Sequence, residues 1–207
     1  MIRKVKNSIP LKVKITLISF LSIIIVFNLW RGIFFYSYID HFKGSSLIYI
    51  KSIFVGLQSD AVIAAQLSVI IFIISLIPKI KFTGYIKSIY YIYMFLLYVV
   101  IGFLSAIDLE FFKEMGAHLN MQAQMYGFES GKEPWIQVWV SYPIFSYLFI
   151  IAFISYMMHK ISKIWIPRSK KTDSLNQKKR NVATLLLFIF LLIVGTNGFV
   201  KTPFNPK

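Results

Sequence analysis

Five runs of this chain are each apolar for about the length needed to cross a bilayer, and that feature leaves few folds open. They cover about Ile15–Phe35, Ala61–Ile77, Ser88–Ile107, Trp135–Met158 and Val182–Val200. A helix of roughly 20 apolar residues, rising about 1.5 Å per residue, spans the hydrocarbon core. The runs do not alternate as barrel strands do, and lipid offers no solvent to unpaired backbone groups. The expectation is an all-α integral membrane protein. Composition agrees: 57% of the 207 residues are hydrophobic, against about 45–50% apolar in an ordinary soluble domain.

Charge sets the orientation. The net charge of +15 suggests a nucleic-acid ligand until its distribution is followed along the chain. With the N-terminus inside, sixteen Lys and Arg residues fall on the inner side, opposed by Asp173 alone. The outer side carries seven cations and seven acids, so the whole excess lies on one face. Basic short loops stay cytoplasmic, which places the N-terminus in and the C-terminus out, in a multi-pass cell-membrane protein with no nucleic-acid partner. The basic segment from His159 to Arg180 is read as a topology determinant against an anionic inner leaflet, the alternative being a lipid-binding site. The N-terminus has a basic region and an apolar core like a secretory signal. It lacks a small-x-small cleavage site, so it reads as an uncleaved first span.

Two outer connections are longer than the topology requires. Tyr36 to Asp60 contains SSLIYIKSIFVGLQSD, too short an apolar stretch to span, and Asp108 to Pro134 places Phe111, Met115, Leu119 and Gln122 at i+4 and i+3 steps. Each is expected to form a short helix lying in the outer interface, the second weakened by Gly116 and ended by Gly127 and Gly131. Trp30, Tyr36, Tyr38, Trp135, Trp139 and Trp165 fall near span ends as an aromatic belt. The chain has no cysteine, which excludes thiol catalysis and thiolate metal sites. His41, His118 and His159 are scattered outside the apolar cores rather than paired as haem ligands. No phosphate-binding loop, nucleophile elbow or HExxH motif is present, so no reaction is specified by the chain alone.

The informative polar residues gather near the outer face. Arg31 lies within LWRGIFF, where a guanidinium either snorkels to the interface and meets its helix's C-terminal dipole, or binds a lipid phosphate through paired donors. Asp60 stands at the expected mouth of the second span, where a carboxylate suits a helix N-terminus. Asp108 and Glu110 stand at the exit of the third span, where exposed carbonyls disfavour an acid by about 0.3–1 kcal/mol. Either the helix continues past them or they pair with cations at the same depth, such as Arg31 and Lys113. A charge cluster of this kind either fixes helix packing or receives a polar headgroup.

The segments FVGLQSDAVIAA (Phe54 to Ala65) and SAIDLEFFKEMGAHLN (Ser105 to Asn120) resemble the N-terminal membrane domain of the lipoteichoic acid synthase-like phosphoglycerol transferases. These enzymes belong to the sulfatase and alkaline-phosphatase superfamily. Gly56, Leu57 and Asp60 match that family's pattern at the second span, and Asp108, Phe111 and Phe112 match its acidic and aromatic residues after the third. The closing NGFVKTPFNPK looks like its linker toward an extracellular enzyme domain. The resemblance implies a membrane domain over residues 1–200, a linker from 201 to 207, and a sulfatase-like domain that would begin after Lys207 and is absent from the chain. That missing domain would carry the threonine nucleophile and a divalent metal such as manganese. The chain itself is expected to hold no cofactor and no catalytic residue.

Two functions follow as expectations. One is a truncated or split membrane anchor of a phosphoglycerol or phosphoethanolamine transferase in envelope biogenesis, holding an extracellular sulfatase-like partner domain near its phospholipid. Its substrate-binding residues would be Arg31, Asp60, Asp108, Glu110 and Asn120. The other is a stand-alone accessory subunit of a transporter or envelope complex. A transporter calls for polar groups at mid-membrane, and Gln66 is the nearest case.

Overall fold

A computed structural model describes residues 11–38, 46–76, 84–116, 118 and 142–166, and the isolated positions 182, 186, 187, 189, 190 and 193. Among these residues the structure is helical, with no strand. Four helices carry it: α1 Leu11–Ser37, α2 Ser46–Leu76, α3 Tyr85–Met115 and α4 Ile144–Trp165. All four are long and apolar enough to cross a membrane. The expected fifth span, Val182–Val200, and residues 135–141 at the start of the expected fourth fall largely or wholly outside the described residues. Phe190 does set its ring edge-on to Phe20 of α1, with centroids 6.0 Å apart.

α1, α2 and α3 are longer than the runs that announced them. α2 has 31 residues, about 46 Å, where the hydrocarbon core needs about 30 Å. The interfacial helix expected over residues 46–60 is therefore the first half of α2. No proline interrupts that stretch, and a single Gly56 costs roughly 1 kcal/mol without breaking a helix. α3 likewise continues through Asp108 and Glu110 to Met115, so residues 108–115 of the second expected interfacial helix belong to it. Gly116 ends α3 in the left-handed conformation (φ 65°), its N–H bonded to the Phe112 carbonyl at 2.8 Å. α4 runs past the lysines that closed its apolar run and stops at Trp165, where Ile166 turns extended ahead of Pro167.

Each helix buries one stripe at helical spacing. In α1 the stripe is Ser19, Ser22, Val26 and Trp30; in α3 it is Tyr90, Met94, Tyr98, Gly102, Ala106 and Leu109. α2 buries Ala64, Ala65, Ser68 and Phe72, and α4 buries Ile151, Ser155, Met158 and Ser162. Small residues fill half of these positions and allow the close backbone approach that drives helix association where lipid is as apolar as leucine. Gly102 is one such place. A Cβ there would stand 3.2 Å from Ile151 of α4 and 3.2 Å from Nε1 of Trp30 in α1.

Polar contacts cross the same stripes. The Tyr98 hydroxyl donates to Ser22 Oγ at 2.9 Å and lies 2.8 Å from Ser162 Oγ, joining α1, α3 and α4 through one oxygen. Ser19 Oγ meets the Tyr90 hydroxyl at 2.8 Å and donates to the Ile15 carbonyl. Gln66 is exposed on α2 and takes no part in this seam.

Candidate functional site at one end of the bundle

The C-terminal ends of α1 and α3 lie beside the first half of α2 and the start of α4, and the acidic residues collect there. Arg31 does not meet Asp108. Its Nη2 lies 2.7 Å from Oδ2 of Asp60, with 21% of the arginine side chain and 9% of the aspartate side chain exposed. Nη1 of Arg31 also donates to the Ile53 carbonyl at 3.4 Å. The guanidinium occupies the space over Gly56, one turn before Asp60 on the same helix face, and a Cβ at position 56 would overlap its Cζ and Nη1. The glycine is thus a notch that admits the cation.

This geometry corrects two expectations. Asp60 is interior to α2, far from the helix start at Ser46, so it caps nothing. Arg31 lies before the last turn of α1, beyond the short reach of the terminal dipole, and its side chain turns across to α2 rather than up to the interface. Charges this shielded are stabilised by a partner.

Asp108 pairs with a residue the sequence did not single out. Nδ1 of His118 lies 2.8 Å from its Oδ2. The hydrogen bond to Asp108 raises the proton affinity of His118 above that of free histidine, while burial and the charge of Arg31 oppose it. Gly116 makes the His118 contact available, because the left-handed turn stops the helix and folds the chain back. The His118 ring then packs at 5.2 Å from both Phe34 and Phe112, themselves 4.9 Å apart, with Tyr38 5.2 Å from Phe112. The Tyr38 hydroxyl donates to the Leu109 carbonyl at 2.8 Å.

Glu110 accepts a hydrogen bond from Tyr147 of α4 and has Lys113 at 3.8 Å, one turn on. Burial, followed by the nearby charges of Glu110 and Glu114, pushes the Tyr38 phenol up; burial, then Glu114 and Glu110, does the same to Tyr142. Of the five expected site residues, four therefore stand in this cluster, as two separate pairs and a tyrosine-bound glutamate. Asn120 lies outside the described residues. The sequence weighed His118 only as a haem ligand and did not mark Tyr147, which lies in no motif and is 37 positions from its partner Glu110. Among the described residues no group of three or more metal-ligating side chains converges. Comparison with protein-family models, curated proteins and solved structures finds no match.

Proposed function

We propose that this chain is a five-span membrane domain, N-terminus in and C-terminus out. It belongs by resemblance with the lipoteichoic acid synthase-like transferases, and it holds a phospholipid headgroup near an extracellular catalytic domain. The carrying observation is the Arg31 guanidinium seated over Gly56, beside Asp60 and within electrostatic reach of the His118–Asp108 pair. A guanidinium has five N–H donors. Asp60 and the Ile53 carbonyl engage Nη2 and Nη1, and the partly exposed edge retains donors suited to a phosphate. This reading sets the cluster at headgroup level, and it is supported by helices that outreach the hydrocarbon core. Anchoring there raises the effective concentration of lipid at a tethered domain without new contacts.

A second reading, an accessory subunit of an envelope complex, draws on a different observation. Every described cation of the cluster already has a carboxylate, so the charges suffice to fix helix packing. The charge-reversed double variant Arg31→Asp/Asp60→Arg separates the two. It retains the pair but moves the cation out of the notch, so headgroup binding is lost while folding persists. Unchanged retention of phospholipid by this variant favours the packing role. Orientation is tested by introducing single cysteines at Tyr36 and Tyr85, which the cysteine-free chain permits. Membrane-impermeant maleimide added to intact cells should label position 36 and not position 85. The reading frame that follows codon 207 tests the tether, since an unrelated gene there counts against it.

A further inference from the structure

The opposite end of the bundle holds a different kind of charge. Lys87, in the first turn of α3, places Nζ 5.6 Å from the centre of the Tyr91 ring, and Lys163, in the last turn of α4, places its Nζ 5.5 Å from the same ring. Lys160 sits 5.2 Å from the Tyr156 ring. Among the described residues no carboxylate pairs with any of these lysines, whereas each described cation at the other end has one. Tyr91 is held from the α4 side by His159, whose ring meets Tyr91 and Phe95 edge-on at 5.8 and 5.6 Å.

The backbone adds to the same field. α3 starts at Gly84 with no side-chain cap and no acid in its first turn, and a Cβ at Gly84 would meet only open space. Among the described residues no side chain caps its first N–H groups, and a helix N-terminus favours an anion. Two ammonium groups from two helices, converging on one ring beside an open helix start, repel each other mildly. A multivalent oxyanion between them reverses the sign of that interaction.

We propose that Lys87 and Lys163, organised on Tyr91, bind the phosphate of an anionic lipid headgroup at this end of the α3–α4 pair. The apolar flanks favour a lipid over a soluble anion: Ile89, Ile92, Tyr156 and Ile164 are exposed beside the lysines and offer a path for acyl chains. The tyrosine rings hold the ammonium groups at interface depth, since a cation over an aromatic face is favourable but leaves its N–H donors free. Under the orientation proposed above this is the inner leaflet, but the chemistry is independent of that orientation and of the Arg31 cluster.

The test is native mass spectrometry of the delipidated full chain, titrated with phosphatidylglycerol and with phosphatidylcholine of the same acyl chains. Wild-type protein retains phosphatidylglycerol preferentially. Lys87→Gln and Lys163→Gln each reduce that preference roughly fivefold, as expected for one basic residue at an anionic surface, and the double variant loses it. Lys87→Arg/Lys163→Arg keeps it. Lys12→Gln/Lys14→Gln removes the same charge from the same end of α1 and also keeps it. An unaltered preference in the Lys87→Gln/Lys163→Gln protein overturns the site, and so does an equal loss in the Lys12→Gln/Lys14→Gln protein. Displacement of bound lipid by inorganic phosphate assigns the lysines to a soluble anion and overturns the lipid assignment.

Discussion

Nη2 of Arg31 lies 2.7 Å from Oδ2 of Asp60, and the pair ties the C-terminal third of α1 to the interior of α2. Both side chains are largely shielded, so each charge depends on the other. Removing one partner of such a pair leaves an uncompensated charge, at a cost on the order of 3–5 kcal/mol. Arg31→Met and Asp60→Asn should each lower the thermal midpoint of the detergent-solubilised protein substantially. The double variant should be less destabilised than the sum of the two, which a double-mutant cycle reads directly. Strict additivity would mean that the pair contributes nothing.

Gly56 and Gly32 make a matched comparison, because both are helical glycines and only one touches the cation. Nothing lies within 4 Å of a Cβ built at Gly32. Gly32→Ala should be neutral or stabilising by up to about 1 kcal/mol, the usual helix gain. Gly56→Ala drives the guanidinium off Asp60, so it should destabilise despite the same gain. In an Asp60→Asn background, the difference between the two alanines should shrink.

Gly102 fixes how closely α3 approaches its neighbours. The contacts at 3.2 Å to Ile151 and Trp30 leave room for a methyl group only if both give by a few tenths of an ångström. Gly102→Leu should separate α1 and α4 from α3 and cost about 3 kcal/mol or somewhat less, in the usual range for overpacking. A paired Ile151→Ala substitution should recover part of the loss in a thermal-denaturation assay.

Tyr98 joins three helices through its hydroxyl, so Tyr98→Phe should cost on the order of 1 kcal/mol, consistent with interhelical hydrogen bonds measured in lipid. Tyr156 is exposed, and Tyr156→Phe should leave stability unchanged. An equal effect of the two would remove the seam as a source of specificity.

His118 gives the cluster around Asp108 a pH dependence of defined sign. Its pKa in the folded protein is raised above 6.5 by Asp108. The stability it contributes is complete below 6.5 and fades as pH rises through the higher folded value. The effect is small, because the imidazole is mostly exposed and solvent screens it. His118→Gln should flatten the pH profile of the melting temperature above 6.5, and Asp108→Asn should do the same. A slope that survives both substitutions belongs to other groups.

The sequence by itself determined that the chain forms helices long and apolar enough to cross a membrane. Runs of about 20 apolar residues admit no other spanning structure when the backbone must bond within its own segment. It also marked Arg31, Asp60, Asp108 and Glu110, since a charge near lipid is costly enough to stand out in any reading. It misplaced the helix ends, because apolar runs stop at the first charges, whereas helices stop where the backbone is turned, at Gly116 and ahead of Pro167. The pairings were decided only by tertiary structure. Asp60 and Asp108 are chemically alike, and nothing local distinguishes the partner of one from that of the other. The packing of α1 against α2 brings Arg31 over Gly56, and the turn at Gly116 brings His118 back to Asp108. An ion pair forms where two helices bring opposite charges within a few ångströms, and that distance is set by how their small-residue stripes meet.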